Sequence, residues 1–267
     1  MLISFINSDG DILSLPETNK FILNEWSGFA NTTHSLKETK APDQIGTTVI
    51  NRIFQSRVID LQFRIIKRDV QSLFNLRREV ISKLNPVLKQ GKLIWQQNEG
   101  TTFQINVELE NVQMPGGDAR GRNFQAVQVS FLAGDPRWFD IEATEINLPI
   151  DSNYSVVNSG DTKTFCEIEI LGPIVNPRIM NMTSGKEIKI NKELLAGERI
   201  KNSTEFGNKN ISFINELGQN RRAMSILDLD SNLFYLERGD NSLRCEGTGT
   251  TAETNFEIKF YNRYLGV

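Results

Sequence analysis

The sequence predicts a mainly β protein: an N-terminal antiparallel sheet domain, built as a sandwich or split barrel with one packed α-helix, and a C-terminal β-sandwich. Three observations predict this class. One segment, at about residues 69–84, has clear helical periodicity. Runs that alternate apolar and polar residues flank it, as in half-buried strands. After about residue 140 these runs become shorter and turn residues more frequent, which is typical of a sandwich.

The predicted helix has a start signal, a stop signal and an apolar face. Asp69 is a suitable N-cap, because its carboxylate can accept a hydrogen bond from a free backbone N–H of the first turn. Pro86 ends the helix, because proline cannot continue the hydrogen-bonded turn. Apolar residues recur at three- and four-residue spacings, and we expect them to pack on the sheet: Val70, Leu73, Phe74, Leu76, Val80, Ile81 and Leu84.

Alternating segments before and after the helix predict the strands of the first domain. An opening hairpin turns at residues 8–10, and a strand follows at about residues 21–23. Residues 114–118 form a turn between later strands, because their glycines tolerate positive φ angles. The clearest alternating sets are Ile59, Leu61, Phe63 and Ile65; Phe103, Ile105, Val107 and Leu109; and Val127, Val129 and Phe131.

Residues 31–46 interrupt this pattern. The segment is rich in threonine, serine, lysine and aspartate, contains Pro42 and has no apolar periodicity. Loops of this length are uncommon inside compact domains and are often functional. The sequence therefore predicts either a long loop without a partner or an extended arm that contacts another molecule.

The second half of the chain contains short predicted strands between frequent turns. The change falls between residues 139 and 146, so we divide the chain into domains 1–140 and 141–267. Short strands with regular turns indicate a β-sandwich. The apolar residues of these strands are Ile146, Leu148, Ile150, Cys166, Ile168, Ile170, Ile188, Ile190, Ile211, Phe213, Phe234, Leu236, Phe256, Ile258 and Phe260.

Composition excludes several classes of protein. The net charge is −3, and the residues up to Asp140 include 16 basic and 15 acidic side chains, so neither half is a basic nucleic-acid binder. Because no apolar stretch reaches about 18 residues and no secretory signal opens the chain, we expect no membrane insertion and no export. Cys166 and Cys245 are too few for a disulfide framework, and we expect both to be buried small apolar residues.

No catalytic, cofactor-binding or metal-binding residues are predicted, and we do not expect an enzyme. His34 is the single histidine and lies in the irregular segment. A Ser-His-Asp triad would have to use it, but the sequence has no Gly-x-Ser-x-Gly motif to supply the nucleophile. Residues 228–232 resemble the start of a calcium loop, but Leu233 and Gly239 replace the glycine and the bidentate glutamate that such a loop needs. The glycine-rich run at 247–251 lacks the lysine and the following helix of a phosphate-binding loop.

A sugar-binding site in the second domain is the main alternative function. Such sites stack a sugar ring on an exposed aromatic side chain, often a tryptophan, but Trp26, Trp95 and Trp138 all lie in or at the edge of the first domain. Other aromatic residues of the second domain could serve as the platform, or could be buried core. These candidates are Tyr154, Phe206, Tyr235, Tyr261 and Tyr264.

The order and spacing of several short motifs resemble the distal tail protein (Dit) family of long-tailed bacteriophages, the siphophages. Each motif alone is a short apolar pattern with a turn, but together they extend over nearly the whole chain. They are Met1-Leu2-Ile3-Ser4-Phe5, Leu76-Arg77-Arg78-Glu79, Asn85-Pro86, Gly91-Lys92-Leu93, the run 135–140 and the run 234–242.

This resemblance implies a structural virion protein. Its implied form is a homohexameric ring where the tail tube meets the tail tip or baseplate, with the first domains around a channel and galectin-like or carbohydrate-module-like second domains as attachment platforms. The implied partners are the tail tube protein, the tail-tip hub and receptor-binding proteins. The implied location is the virion tail tip, after assembly in the host cytoplasm. In such a ring, the 31–46 arm would reach onto a neighbouring subunit.

The near-neutral first domain suits a channel that passes DNA without binding it. Clustered lysine and arginine side chains would hold DNA in a salt-dependent way. We therefore expect a channel lining that is neutral or acidic. The alternative reading of the same chain is a carbohydrate-binding tail module that contacts the host cell wall.

Overall fold

The chain forms two units, which are described separately. The computed structural model describes residues 1–30 and 32–267. Within the described chain, no helix is long and apolar enough to cross a bilayer. The first unit is Met1–Ile141 together with Leu265–Val267, and the second is Glu142–Tyr264.

The last three residues are placed differently from the sequence-based division, which assigned them to the second domain. They belong to the first unit. The backbone N–H of Val267 donates a hydrogen bond to the carbonyl oxygen of Phe29 at 3.1 Å, and the carbonyl oxygen of Leu265 accepts one from the Arg57 side chain. These contacts between residues far apart in sequence have no local pattern that could reveal them.

The first unit is an antiparallel β structure with one α-helix among its described residues, as predicted. A short 3₁₀ turn also lies at Gly117–Ala119. The elements are β1 (Leu2–Ile6), β2 (Ile12–Leu15), β3 (Phe21–Ser27), β4 (His34–Thr39), β5 (Thr48–Phe54), β6 (Arg57–Ile66), α1 (Val70–Lys83), β7 (Gly91–Gln96), β8 (Thr102–Gln113), β9 (Phe124–Ala133) and β10 (Trp138–Asp140).

Strand β8 joins the two parts of the main sheet of this unit. The strand order is β2-β1-β7-β8-β9-β6-β3, and β10 also pairs with β8. The first half of β8 pairs with β7, and its second half pairs with β9 across a register shift between Leu109 and Asn111. Such a shift bends a strand, so that one strand can serve both parts of the sheet.

Helix α1 has the predicted bounds and cap. Asp69 Oδ1 accepts a hydrogen bond from the backbone N–H of Ser72 at 2.8 Å, and Leu84 is the C-cap. The predicted apolar face is only partly buried: Leu73, Leu76, Val80 and Leu84 are buried, whereas Val70, Phe74 and Ile81 are half exposed. The buried four form one narrow stripe, and the exposed three lie on its flank, which the sheet does not cover.

Residues 34–54 form a hairpin, where the sequence predicted a loop or arm. Strands β4 and β5 pair only with each other among the described residues, with a register shift between Lys37 and Glu38. Residues 34–39 of the 31–46 segment are therefore a strand and not an irregular loop. Contact of the arm with another molecule stays a prediction, and Asn31 lies outside the described residues. Most side chains of both strands are exposed. Because neither face is buried, the sequence has no alternation to indicate a strand.

The second unit contains two antiparallel sheets. Their strand orders are β11-β21-β13-β17-β18-β19 and β12-β20-β14-β15, and β16 pairs with β14. A 3₁₀ turn lies at Met224–Ile226. The strands are β11 (Thr144–Leu148), β12 (Asn153–Asn158), β13 (Cys166–Leu171), β14 (Ile174–Asn181), β15 (Lys186–Lys189), β16 (Glu193–Leu194), β17 (Arg199–Ser203), β18 (Asn210–Ile214), β19 (Asn220–Arg222), β20 (Gly239–Thr248), β21 (Asn255–Phe260) and β22 (Arg263–Tyr264).

One apolar core is shared by these two sheets, which makes the unit a sandwich. Ile168 comes from one sheet and Ile179 from the other, and both are buried. Cys166 and Cys245 are buried in the same core as free thiols, and burial raises the pKa of each to about 12. The mainly β class is thus confirmed, while the likeness to galectins stays a prediction.

One predicted strand in this unit is wrong. Phe234 and Leu236 are fully buried, but the segment forms only an isolated bridge, in which Leu236 and Thr164 exchange backbone hydrogen bonds at 2.9 and 3.0 Å. Two apolar residues separated by one position occur in any buried extended segment. The spacing therefore does not distinguish a strand from a buried loop.

The helix supplies a test of its packing. We expect Leu76→Ala to reduce the free energy of unfolding by about 2–5 kcal/mol, because it opens a cavity between α1 and the sheet. Phe74→Ala, on the exposed flank, should cost less than about 1 kcal/mol. Urea unfolding followed by circular dichroism measures both. Equal losses would contradict the described orientation of the helix.

Candidate assembly interface

The polar groups considered for chemistry are not brought together into a site. His34 stands at the start of β4, exposed, with its ring 6.3 Å from that of Phe54. Asp228 accepts a hydrogen bond from the side-chain amide of Asn191, which with nearby groups lowers the pKa of the carboxyl. Among the described residues, no group of three histidine, cysteine, aspartate or glutamate side chains could hold a metal ion. The candidate functional feature that the described residues show is a surface of the first unit.

That surface is the β4–β5 hairpin, which we call the arm. The large apolar side chains of its two strands are between 43 and 59% exposed. An isolated two-stranded hairpin is at best marginally stable in water, and an element that exposes several large apolar side chains is a candidate binding surface. The exposed apolar residues of its strands are Leu36, Val49, Ile50, Ile53 and Phe54.

The tip of the arm is an ordered turn. The Gln44 side chain spans it, accepting a hydrogen bond from the backbone N–H of Ala41 at 3.0 Å and donating one to Thr48 Oγ1 at 2.9 Å. Thr47 Oγ1 donates to a carboxylate oxygen of Glu38 at 2.7 Å. At this tip Ile45 is fully exposed, at 101% of its reference area. The turn therefore presents an apolar side chain in a defined place.

The root of the arm is held by one buried side chain, Arg57. Its Nε donates a hydrogen bond to the carbonyl oxygen of Pro136 at 2.8 Å, and its terminal nitrogens donate to the carbonyl oxygens of Gly28, Ala30 and Leu265. Only 5% of the residue is exposed. Burial lowers the pKa of Arg57 to about 10, still far above neutrality, so the guanidinium stays protonated and all these bonds are charge-assisted.

Aromatic packing supports the same root. The ring of Phe29 stacks on Trp138 with centroids 5.3 Å apart and lies 5.5 Å from Trp95. Gly28 precedes it with φ of +85°, and a Cβ at this position would lie 2.1 Å from the carbonyl oxygen of Val58. Only glycine fits there. Two of the three tryptophans, Trp95 and Trp138, therefore pack on Phe29 in the first unit.

The second unit has a polar hollow of about 450 Å³. It lies on the sheet whose strand order is β11-β21-β13-β17-β18-β19. Its carboxylates and ammonium groups form cross-strand ion pairs, including Glu145 with Lys259 at 2.6 Å and Glu169 with Lys201 at 2.8 Å. Phe206, in the loop between β17 and β18, is 78% exposed. This loop also supplies Asn208 to the lining of the hollow.

The other predicted sugar platforms lie elsewhere in this unit. Tyr154 is 40% exposed on β12, in the other sheet. Tyr235 packs against Phe165 with ring centroids 5.3 Å apart, and the Lys163 ammonium lies 4.9 Å from its centroid. Tyr261 and Tyr264 are partly buried. Of the five candidates, Phe206 alone is both highly exposed and in a loop that lines the hollow.

Sequence reasoning missed Arg57 and the second strand of the arm. In the sequence, Arg57 is one of 30 lysine and arginine residues. Its hydrogen-bond acceptors are backbone carbonyl oxygens far away in sequence, so no local pattern distinguishes it from the others. The second strand did leave a signal. The apolar pairs Val49-Ile50 and Ile53-Phe54, directly after the irregular segment, could have indicated a strand without a buried face.

Family comparisons match both units. The model of the phage tail protein RIFT-related domain matches residues 8–133, and that of the siphovirus-type tail component, C-terminal domain, matches residues 159–264. Comparison with curated protein sequences gives no match.

Solved structures of similar fold include the SPP1 Dit (gp 19.1) protein. It is 14% identical, with a TM-score of 0.73 over 98% of both chains. The phage P2 baseplate in its activated conformation with Ca contains a chain of 11% identity and TM-score 0.59, covering 100% of this chain and 99% of that one. The same baseplate solved with Sr gives the same values. At these identities the likeness shows the fold.

The root of the arm supplies a test of the Arg57 contacts. We expect Arg57→Met to reduce the free energy of unfolding by roughly 3 kcal/mol or more, because buried carbonyl oxygens lose their donor. Arg52→Met, an exposed arginine of the arm, should change it by less than about 0.5 kcal/mol. Chemical unfolding measures both variants, and an Arg57 variant as stable as the Arg52 variant would refute the role of the guanidinium.

The two family matches cover consecutive parts of the chain and together most of its length. The full-length fold agrees with that of a distal tail protein. These findings confirm the resemblance inferred from the motifs. The chain belongs to the distal tail protein family of siphophages and is a structural component of the phage tail.

Proposed function

We propose that this protein forms a closed ring of identical subunits, six by analogy with the family, at the distal end of the tail tube. The ring serves as an attachment hub for tail-tip or baseplate proteins and has no catalytic role. The observation that carries this proposal is the arm, a two-stranded hairpin with exposed apolar side chains that no other element of the described chain covers. Apolar side chains exposed in this way are typical of a surface that binds another protein.

A ring of identical subunits requires two different complementary surfaces on each copy. The arm is one, because it extends from a fixed root and its apolar side chains are uncovered. Sheet edges offer further contacts, since an edge strand has free backbone groups that can pair with another chain. β3 stands at one end of the main sheet, and its residues Ile22 and Trp26 are 48% and 47% exposed.

The expected partners are the tail tube protein, the tail-tip hub and receptor-binding proteins, with assembly in the host cytoplasm. One similar structure, that of the SPP1 Dit protein, is described as a paradigm of the hub adsorption apparatus of phages that infect Gram-positive bacteria, and another is a phage baseplate. The likeness to the first supports an attachment role for the proposed ring, and the likeness to the second supports a place in a baseplate. DNA would pass through the channel without specific binding, with a lining that is neutral or acidic.

Solution mass tests the ring. We expect native mass spectrometry to find six copies of the 30.3 kDa chain. Ile50→Lys with Ile53→Lys should shift the population to monomers, because two charges replace apolar groups of the arm. Leu217→Lys with Leu229→Lys, at exposed positions of the second unit, should leave the oligomer intact. A wild-type protein that stays monomeric at high concentration would contradict the proposed ring.

A second candidate function is carbohydrate binding by the second unit. The polar hollow favours it, because paired carboxylates, ammonium groups and amides can bind sugar hydroxyls, and Phe206 can stack on a sugar ring. The hollow is open and its ion pairs are already satisfied within the sheet. We therefore rank this function below the ring.

A titration decides this second candidate. If the hollow binds glycans, cell-wall oligosaccharides should give saturable calorimetric binding, and Phe206→Ala should abolish it. Tyr154→Ala, an exposed aromatic residue on the other sheet, is the matched control and should bind like the wild type. Absence of binding in a glycan array, or equal loss in both variants, would exclude the hollow as a sugar site.

A further inference from the structure

A pocket in the second unit lies apart from the polar hollow. It has a volume of about 480 Å³ and shares no lining residue with the hollow. One wall is Phe213, a β18 residue that is buried in the apolar core of the sandwich. The other lining residues are polar or charged: Lys192, Glu198, Asn215, Gln219, Asn220 and Arg221.

Two cations of this pocket lie on the ring of Phe213. The Lys192 ammonium is 4.5 Å from the ring centroid, and the guanidinium carbon of Arg221 is 4.9 Å from it. Lys192 lies between β15 and β16, whereas Arg221 belongs to β19, at the end of the other sheet. An aromatic ring attracts a nearby cation. The two charges, however, are closer together than the screening length of about 10 Å in roughly 0.1 M salt, so they repel each other.

No carboxylate in the described part of the chain neutralises these two cations. Neither Lys192 nor Arg221 forms an ion pair with another described residue. Glu198 also lines the pocket, but its Oε2 accepts a hydrogen bond from the backbone N–H of Leu195 at 2.9 Å, within its own turn. Two cations against one carboxylate leave the lining with a positive net charge.

The amides of the lining add further hydrogen-bond donors. Asn215 donates a hydrogen bond to Gln219 Oε1 at 3.0 Å. Within the described residues, the side-chain nitrogens of Gln219 and Asn220 have no acceptor. The pocket is therefore rich in N–H donors. Such a lining suits a phosphate group, which has three or more acceptor oxygens and a charge of about −2, better than a carboxylate, which has only two oxygens.

We propose that this pocket binds a phosphate group through Lys192 and Arg221. Arginine presents paired N–H donors to two phosphate oxygens, and the lysine ammonium acts as a point charge. The side-chain amides of Gln219 and Asn220 donate to the remaining oxygens. The bound anion also removes the repulsion between the two cations. The site depends neither on the ring nor on the polar hollow, and it takes either free phosphate or a phosphorylated sugar.

Calorimetric titration of the full-length protein tests the site with inorganic phosphate, glucose 6-phosphate and glucose. In a phosphate-free buffer of low ionic strength, both phosphate probes should bind saturably and glucose should not. Equal affinities for the two phosphate probes assign the site to the anion alone, whereas tighter binding of glucose 6-phosphate assigns it to a sugar phosphate. Absence of saturable phosphate binding overturns the proposal. Succinate bound as tightly as phosphate also overturns it, since the donors would then not select phosphate.

Two neighbouring arginines of β19 provide a matched pair of variants. Arg221→Gln should weaken phosphate binding by about 10-fold or more, because a charge-assisted donor of the pocket is lost. Arg222→Gln changes an exposed arginine that does not line the pocket, and it should bind phosphate like the wild type. Both positions are exposed, so both variants should fold, which circular dichroism checks. Equal weakening in the two variants would show that diffuse positive charge attracts the anion and would contradict the assigned site.

Discussion

The buried guanidinium of Arg57 is the interaction on which the arm depends. It binds carbonyl oxygens from three separate places in the sequence: the segment before the arm, the turn before β10 and the end of the chain. Few other side chains could do this, because arginine has five donors in one plane and stays charged when buried. A single residue thereby links the arm root to the body of the first unit.

This link has a mechanical consequence. The arm has almost no buried side chains of its own, so its strands are stabilised only by their mutual pairing and by the root. A hairpin on a loose root would sample many directions and would lose much entropy on docking. The Arg57 contacts and the Phe29–Trp138 stack limit that freedom. A ring needs such limits, because it closes only when every subunit presents its contact at the same angle.

The sequence predicted those elements whose signals lie in neighbouring residues. The N-cap at Asp69 and the proline at 86 predicted helix α1, and alternation predicted the main strands of both units, because burial of one face produces these patterns. The arm left no alternation, since both of its faces are exposed. The exposed flank of α1 was predicted as buried, because periodicity shows which residues share a face and not how much of it is covered. The Arg57 contacts join distant segments and have no local pattern.

Electron cryo-microscopy of the assembled oligomer would show directly whether Arg57 holds the arm root in every subunit. We expect that in every subunit the Arg57 guanidinium donates hydrogen bonds to the carbonyl oxygens of Gly28, Ala30, Pro136 and Leu265, with the arm extended onto the next copy. An arm folded back on its own subunit would show that the arm does not form the ring contact. An extended arm whose Arg57 side chain points into solvent would contradict the role of Arg57 at the arm root.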